Sequence, residues 1–206
     1  MGEQSWDDLG AAAAVRMCHD LAGPAGALAN GLELLEVEDG DGLAAEVRGL
    51  LRMSAQTLGA RLDFFRAVFG LPTGRALKAG TAATVSRAYL GRLGDAQRVY
   101  DLTEFPDALA EGPEYWRLAL TLVLIGADAL PFGGRIGVDA KDGLPQLHVA
   151  GRRGGFSEAA LAALEGRVED AHVVAGAMLV QRAEKLDIAV RWWGEAETCG
   201  IGMTRR

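Results

Sequence analysis

The chain has 206 residues, 50% of them apolar, with 28 acidic against 21 basic side chains and a net charge of −7. That length fits one or two domains with ample core, and the acidic balance excludes the broad basic surface that non-specific nucleic-acid binding requires. No apolar run approaches the roughly 18–20 residues of a membrane-spanning helix. The longest, Leu118–Leu130, is interrupted by Thr121 and Asp128, and the acidic segment Met1–Asp8 lacks the pattern of a signal peptide. The expectation is a soluble cytoplasmic protein with neither nucleic acid nor membrane as partner. Cys18 and Cys199 lie far apart in the chain and fit neither a disulfide framework nor a metal site.

Along the first third, Met17, Leu21, Ala25, Leu28, Leu32 and Leu35 recur at spacings of three and four, which predicts an amphipathic helix. Val37–Gly42, with two glycines and three acids, predicts a turn. Leu43, Val47, Leu50, Ser54, Leu58, Leu62, Phe65 and Phe69 then predict a second helix, which stops at Gly70 and Pro72. Two helices bury two full stripes poorly, so such a hairpin calls for two more. A second copy of the chain supplies them as an intermolecular four-helix bundle, which is the preferred reading; packing of the stripes on the chain's own C-terminal half is the other. Leu71–Leu77 reads as a linker between a hairpin domain, 1–71, and a second domain, 75–206. In that second domain Thr81–Leu90, Glu114–Leu130, Ser157–Glu165 and His172–Lys185 read as helices, the second of them opened by Pro113. Gln97–Leu102, Arg135–Ala140, Gln146–Ala150, Asp187–Trp193 and Glu197–Thr204 read as strands, with Lys141-Asp142-Gly143 as a hairpin turn. This mixture predicts an α+β sandwich.

Of the three histidines, His148 falls in a strand and His172 near a helix start, and both read as ordinary structural residues. His19 differs. At ~100° per residue it lies roughly 160° from the centre of the stripe formed by Leu21, Ala25, Leu28, Leu32 and Leu35. Its ring therefore points away from the bundle core, with a nitrogen free to act as nucleophile. The neighbouring Asp20 can orient that ring or hold its proton. Pro24 removes a backbone hydrogen bond and costs ~3 kcal/mol inside a helix, and Gly23 adds about 1 kcal/mol. A helix that keeps both, one turn past an exposed histidine, has a reason for a kink or for a smooth surface that a partner backbone can approach. Ala22, Gly26, Ala27 and Asn30 continue that surface. Arg16, Ala22, Gly23, Gly26, Asn30 and Glu33 are the candidate docking residues on this helix. The bland alternative is that Gly23-Pro24 separates two helices.

The run Arg16-Met-Cys-His19-Asp20-Leu21-Ala-Gly-Pro24 resembles the H-box of sensor histidine kinases. The longer string from His19 to Leu35, with Asn30-Gly31-Leu32-Glu33-Leu34, is similar to the ChpT-type histidine phosphotransferases. That resemblance covers essentially the whole chain: a helical hairpin, then a domain shaped like a kinase ATP-binding (Bergerat-type) α/β sandwich. Leu120–Ile136 looks like the asparagine-box helix and the strand after it. The two asparagines that hold Mg²⁺ and phosphates in kinases correspond here to Thr121 and Ile125, and isoleucine offers no oxygen to a hard cation. Ala150 stands where an adenine-reading aspartate would be. Gly151, Gly154 and Gly155 remain, a weak phosphate signal by themselves, and the later glycine-rich phosphate loop has no convincing counterpart near Ala171–Met178.

The resemblance implies a phosphorelay intermediate with a degenerate domain that does not use ATP. It implies His19 as phosphoryl acceptor, Asp20 as its orienting carboxylate, a homodimeric assembly and no cofactor in this chain, with Mg²⁺ supplied by the partner receiver domain. The implied donor is the receiver domain of a CckA-type hybrid histidine kinase, and the implied acceptors are CtrA-type and CpdR-type response regulators. Many kinases place a threonine or asparagine four residues after the histidine to aim water at a partner's phospho-aspartate. Gly23 stands there, which implies a carrier rather than a phosphatase. Arg152 and Arg153, a basic pair in an acidic protein, are further docking candidates or simply a solvated loop. The competing functional readings are a dimeric decoy that binds receivers without carrying phosphate, and a true kinase with unusual nucleotide contacts.

Overall fold

In the computed structural model, which describes residues 6–37, 41–70, 79–95, 97–195 and 197–206, the chain opens with two long helices. These are α1, Trp6–Val37, and α2, Asp41–Phe69, packed together as a hairpin. The helix α1 runs unbroken through Pro24, so Gly23-Pro24 does not divide it. The middle of the expected turn, residues 38–40, and the expected linker Leu71–Leu77 lie outside the described residues.

The second half contains α3 (Ala79–Leu93), β1 (Tyr100–Glu104), α4 (Pro113–Asp128), β2 (Gly134–Lys141) and β3 (Leu144–Ala150). After these come α5 (Glu158–Leu164), a 3₁₀ turn (Ala171–Val173), α6 (Val174–Lys185), β4 (Ile188–Glu195) and β5 (Thr198–Arg205). The five strands form one sheet in the order β1-β2-β3-β5-β4. The first pair is parallel and the others antiparallel, which makes the fold α+β as the sequence predicts. Asp142 and Gly143 turn the β2–β3 hairpin with φ of 53° and 75°, the left-handed pair that a two-residue turn needs and that Asp-Gly supplies. β1 starts later than its sequence pattern, because the Asp95 carboxylate accepts the amides of Gln97 and Arg98 and holds that stretch in a turn. Likewise the helix expected from His172 begins as a 3₁₀ turn, capped by the side chain of Asp170.

Helix α4 is buried continuously from Arg117 to Ala127, as a helix apolar on all sides must be. It lies against the sheet at Gly126, where a Cβ would come 3.1 Å from both Ile136 and Leu147. The hairpin reaches the same core. Phe64, Phe65 and Val68 of α2 are fully buried in it, and Phe64 stacks on Tyr89 of α3 with ring centres 4.1 Å apart. Buried Arg182 of α6 donates to the Val68 carbonyl at 2.8 Å and to Thr121 Oγ1 at 3.3 Å. Leu9 and Ala13 of α1 pack on Val174, Ala177 and Met178 of α6. Nearer the tip of the hairpin, Leu32, Leu50 and Met53 are more than half exposed. The apolar stripes thus divide: the base packs on the chain's own second half, while Leu32, Leu50 and Met53 stay exposed beside buried Val47. Among the described residues, no helix is long and apolar enough to cross a membrane.

Candidate active site

His19 stands on α1 with 68% of its side chain exposed, pointing outward as its helical phase requires. Asp20 Oδ1 lies 3.3 Å from His19 Nδ1. With a proton on Nδ1 the ring donates to this carboxylate, and Nε2 keeps its lone pair toward solvent. The other oxygen of Asp20 is held from behind. Arg16, one turn earlier, donates from Nε to Asp20 Oδ2 at 3.1 Å. The same guanidinium forks onto Asp128 at the end of α4, at 2.8 and 2.7 Å, and Nη1 also donates to the His172 carbonyl. A chain of ion pairs centred on buried Arg16 therefore runs Asp128–Arg16–Asp20 and ends on the exposed imidazole. Planar bidentate pairing of this kind fixes orientation as well as charge.

The electrostatics support the arrangement. Burial alone would lower the pKa of Arg16, but the adjacent carboxylate of Asp128 carries it above the ordinary guanidinium value. Burial pushes the Asp128 carboxyl up to about 6 against the pull of Arg16. Because 29% of the Asp128 side chain remains open to solvent, the bidentate pair is the stronger guide to its resting state, and it is charged at neutral pH. Tyr89 is buried beneath the cluster, and its burial, together with the charge of Asp128, keeps the phenol protonated well above its ordinary range.

Pro24 has a local explanation. A proline has no N–H to offer the carbonyl four residues back, which here is that of Asp20. Arg61 of α2 donates to that carbonyl in its place. The proline thus frees an acceptor directly behind His19, and the second helix uses it.

Ala22, Gly23, Gly26, Asn30 and Glu33 are all exposed on α1, and a Cβ on Gly23 or Gly26 would meet nothing within 4 Å. The chain's own packing does not require glycine at either position. Arg16, expected among the docking residues, instead turns inward and is 3% exposed. A local pattern cannot show this, because its partner Asp128 lies 112 residues away. Arg152 and Arg153 project from the loop after β3, their guanidinium carbons 4.5 and 5.9 Å from the centre of the exposed Phe132 ring. That loop is tied to the end of α4 by the Gly155 amide, which donates to the Ala129 carbonyl at 2.9 Å. The pair therefore hangs from the helix end that carries Asp128.

His172, which the sequence pattern marks as an ordinary structural residue, stands beside His19. Its ring packs edge-on against that of His19, with centres 4.4 Å apart and planes at 87°. Only its position after the capping Asp170 hinted at a fixed backbone; nothing local pointed to His19. Ligand-type atoms of His19, Asp20 and His172 lie within 4.8 Å of one another. Two imidazoles and one carboxylate suit a borderline transition ion, whereas Mg²⁺ prefers oxygen donors. Ile125, Asp128, Ala129, Phe156, Ser157 and Val173 are among the residues that line a cavity of about 50 Å³, room for a few waters.

Comparisons with known proteins give the family. Residues 79–198 match the family described as the histidine phosphotransferase C-terminal domain. A curated relative from Brucella abortus (strain 2308), named protein phosphotransferase ChpT, is 36% identical over 140 residues, which cover 64% of this chain and 60% of the relative. A solved structure described as a bacterial phosphotransferase superposes with a TM-score of 0.80 at 29% identity, over 98% of both chains. The chain belongs to the histidine phosphotransferase family.

Proposed function

We propose that this protein is a histidine phosphotransferase of a two-component phosphorelay, carrying a phosphoryl group between receiver-domain aspartates on His19. One observation carries this reading: an exposed imidazole whose Nδ1 is backed by an Asp128–Arg16–Asp20 chain centred on buried Arg16, leaving Nε2 as the outward nucleophile. A docked receiver presents its phospho-aspartate. The Nε2 lone pair forms the N–P bond as the acyl P–O bond breaks, and the electron pair leaves on the receiver carboxylate. The phospho-imidazolium that results retains its Nδ1 proton, and Asp20 neutralises it. Positioning and charge neutralisation supply most of the catalysis in phosphoryl transfer. The reverse sequence delivers the group to a second receiver.

The relatives' names support the activity. The ChpT-type resemblance further suggests a CckA-type receiver as donor, CtrA-type and CpdR-type regulators as acceptors, Mg²⁺ supplied by the receiver, and a cytoplasmic setting. The exposed surface of Ala22, Gly23 and Gly26 beside His19 suits a close-docking partner. Exposed Leu32, Leu50 and Met53 favour a homodimer built on the hairpin tips. Ile125 and Ala150 in place of nucleotide-contacting residues, with the small cavity beside Ile125, favour a chain that does not use ATP. Gly23, which can aim no water, favours carriage over hydrolysis.

A labelled receiver supplies the test. The reading predicts that label passes to the wild-type chain and fails to pass to His19→Ala, and that labelled ATP alone leaves the protein unmarked. A decoy would bind the receiver equally well with either variant and acquire no label. Autophosphorylation from ATP would restore the kinase reading.

A further inference from the structure

We propose that His172 is a second catalytic imidazole of the phosphotransfer site, contributed by the C-terminal domain: it holds the His19 ring in place and donates a ring N–H to the phosphoryl group during transfer. This rests on the reading of His19 as the phosphoryl acceptor and adds a residue that the helical hairpin does not contain.

The geometry is built rather than incidental. The backbone of His172 is pinned on both sides. Its amide donates to Asp170 Oδ1 at 2.9 Å, and its carbonyl accepts from Arg16, the same guanidinium that holds Asp20. One buried side chain thus sets the positions of Asp20 and His172 together, and the rings of His19 and His172 meet edge to face. Asp20 occupies Nδ1 of His19 on one side and His172 restricts ring rotation on another, so Nε2 is the nitrogen left for the incoming phosphorus. A nitrogen of His172 lies within 4.8 Å of a nitrogen of His19 and of a carboxylate oxygen of Asp20, a span that an oxygen of a phosphoryl group carried by the His19 ring can bridge. A neutral imidazole carries one N–H, and with that proton on the nitrogen facing His19 the ring of His172 is a donor to the phosphoryl group; the imidazolium donates from both nitrogens. It faces a group whose negative charge is spread over three oxygens as the P–O bond breaks, where an aimed donor is most effective. Atom balance is unaffected: His172 forms no covalent bond and keeps its proton, while the phosphoryl group moves from carboxylate oxygen to Nε2.

The test measures the single-turnover rate of transfer from a phosphorylated receiver across receiver concentrations, for wild type, His172→Ala, His172→Phe and His172→Gln, with thermal melts as a check of folding. The expected result for His172→Ala is a saturating rate lower by about tenfold or more, the loss of one charge-assisted hydrogen bond, with the half-saturating receiver concentration changed less than about twofold. His172→Phe keeps an aromatic ring without an N–H and should be as slow, while His172→Gln restores a donor and recovers part of the rate. Saturating rates within about twofold of wild type overturn the proposal. So does full recovery by His172→Phe, which reduces the residue to packing, or a loss confined to half-saturation, which makes it a docking residue. If wild type itself takes no label, the reading of His19 has failed instead, so the two failures are distinct.

Discussion

As pH falls from about 7 to about 5, the Asp128 carboxyl, pushed up to about 6 by burial, takes up a proton and its fork to Arg16 weakens. The folded state binds that proton more tightly than an ordinary aspartate does, so stability from this group increases as pH falls through the window and is lost as pH rises through it. Activity should move the other way, because Arg16 then holds Asp20 and the His172 backbone with one anchor fewer. The account predicts a transfer rate several-fold lower at pH 5 than at pH 7, with no fall in melting temperature attributable to Asp128, and an acid limb flattened in Asp128→Asn. Stopped transfer reactions and melts across this range check it; identical pH profiles for the two proteins would count against the clamp. At this scale the sequence was informative about the exposure of His19 and poor about its support. His19, Asp20 and Pro24 are close together in the chain, and helical phase alone turns the ring outward. Arg16 shares that outward face by phase, and only contact with Asp128 and His172 from distant segments draws it in.

At the scale of elements, periodicity and turn chemistry carry most of the fold. The two-residue turn at Asp142 and Gly143 and the spacing of the two long helices are local properties. Boundaries shift where a side chain competes for backbone amides, as Asp95 does before β1 and Asp170 before α6. What the stripe pattern of α1 and α2 cannot state is which part of each stripe meets which surface. Phe64, Phe65 and Val68 enter the core of the second half, while Leu32, Leu50 and Met53 remain open. If a second copy covers those open positions, Leu50→Glu combined with Met53→Glu should lower the mass measured by light scattering from that of a dimer to that of a monomer. Both positions are exposed within one chain, so the fold should survive with an unchanged helical signal. A monomeric wild type at all concentrations would refute the dimer.

At the scale of the whole molecule, the second half of the chain, which resembles a kinase ATP-binding module, is fastened to the helix that carries His19. The fastening uses Asp128, at the end of the helix that resembles the asparagine box, and His172, before α6. The resemblance to that module is readable in the order of elements, and the departures at Thr121, Ile125 and Ala150 are readable as residue types. Its use as a brace for His19 is not, since it depends on contacts between the two halves of the chain. The most direct measurement of the central claim is to locate the phosphoryl group after brief mixing with a phosphorylated receiver, by phosphorus–nitrogen correlation in an isotopically labelled chain. The account predicts a single acid-labile phosphohistidine, His19, substituted at Nε2. Phosphate retained wholly on the receiver, or found on another residue or on Nδ1, would contradict it.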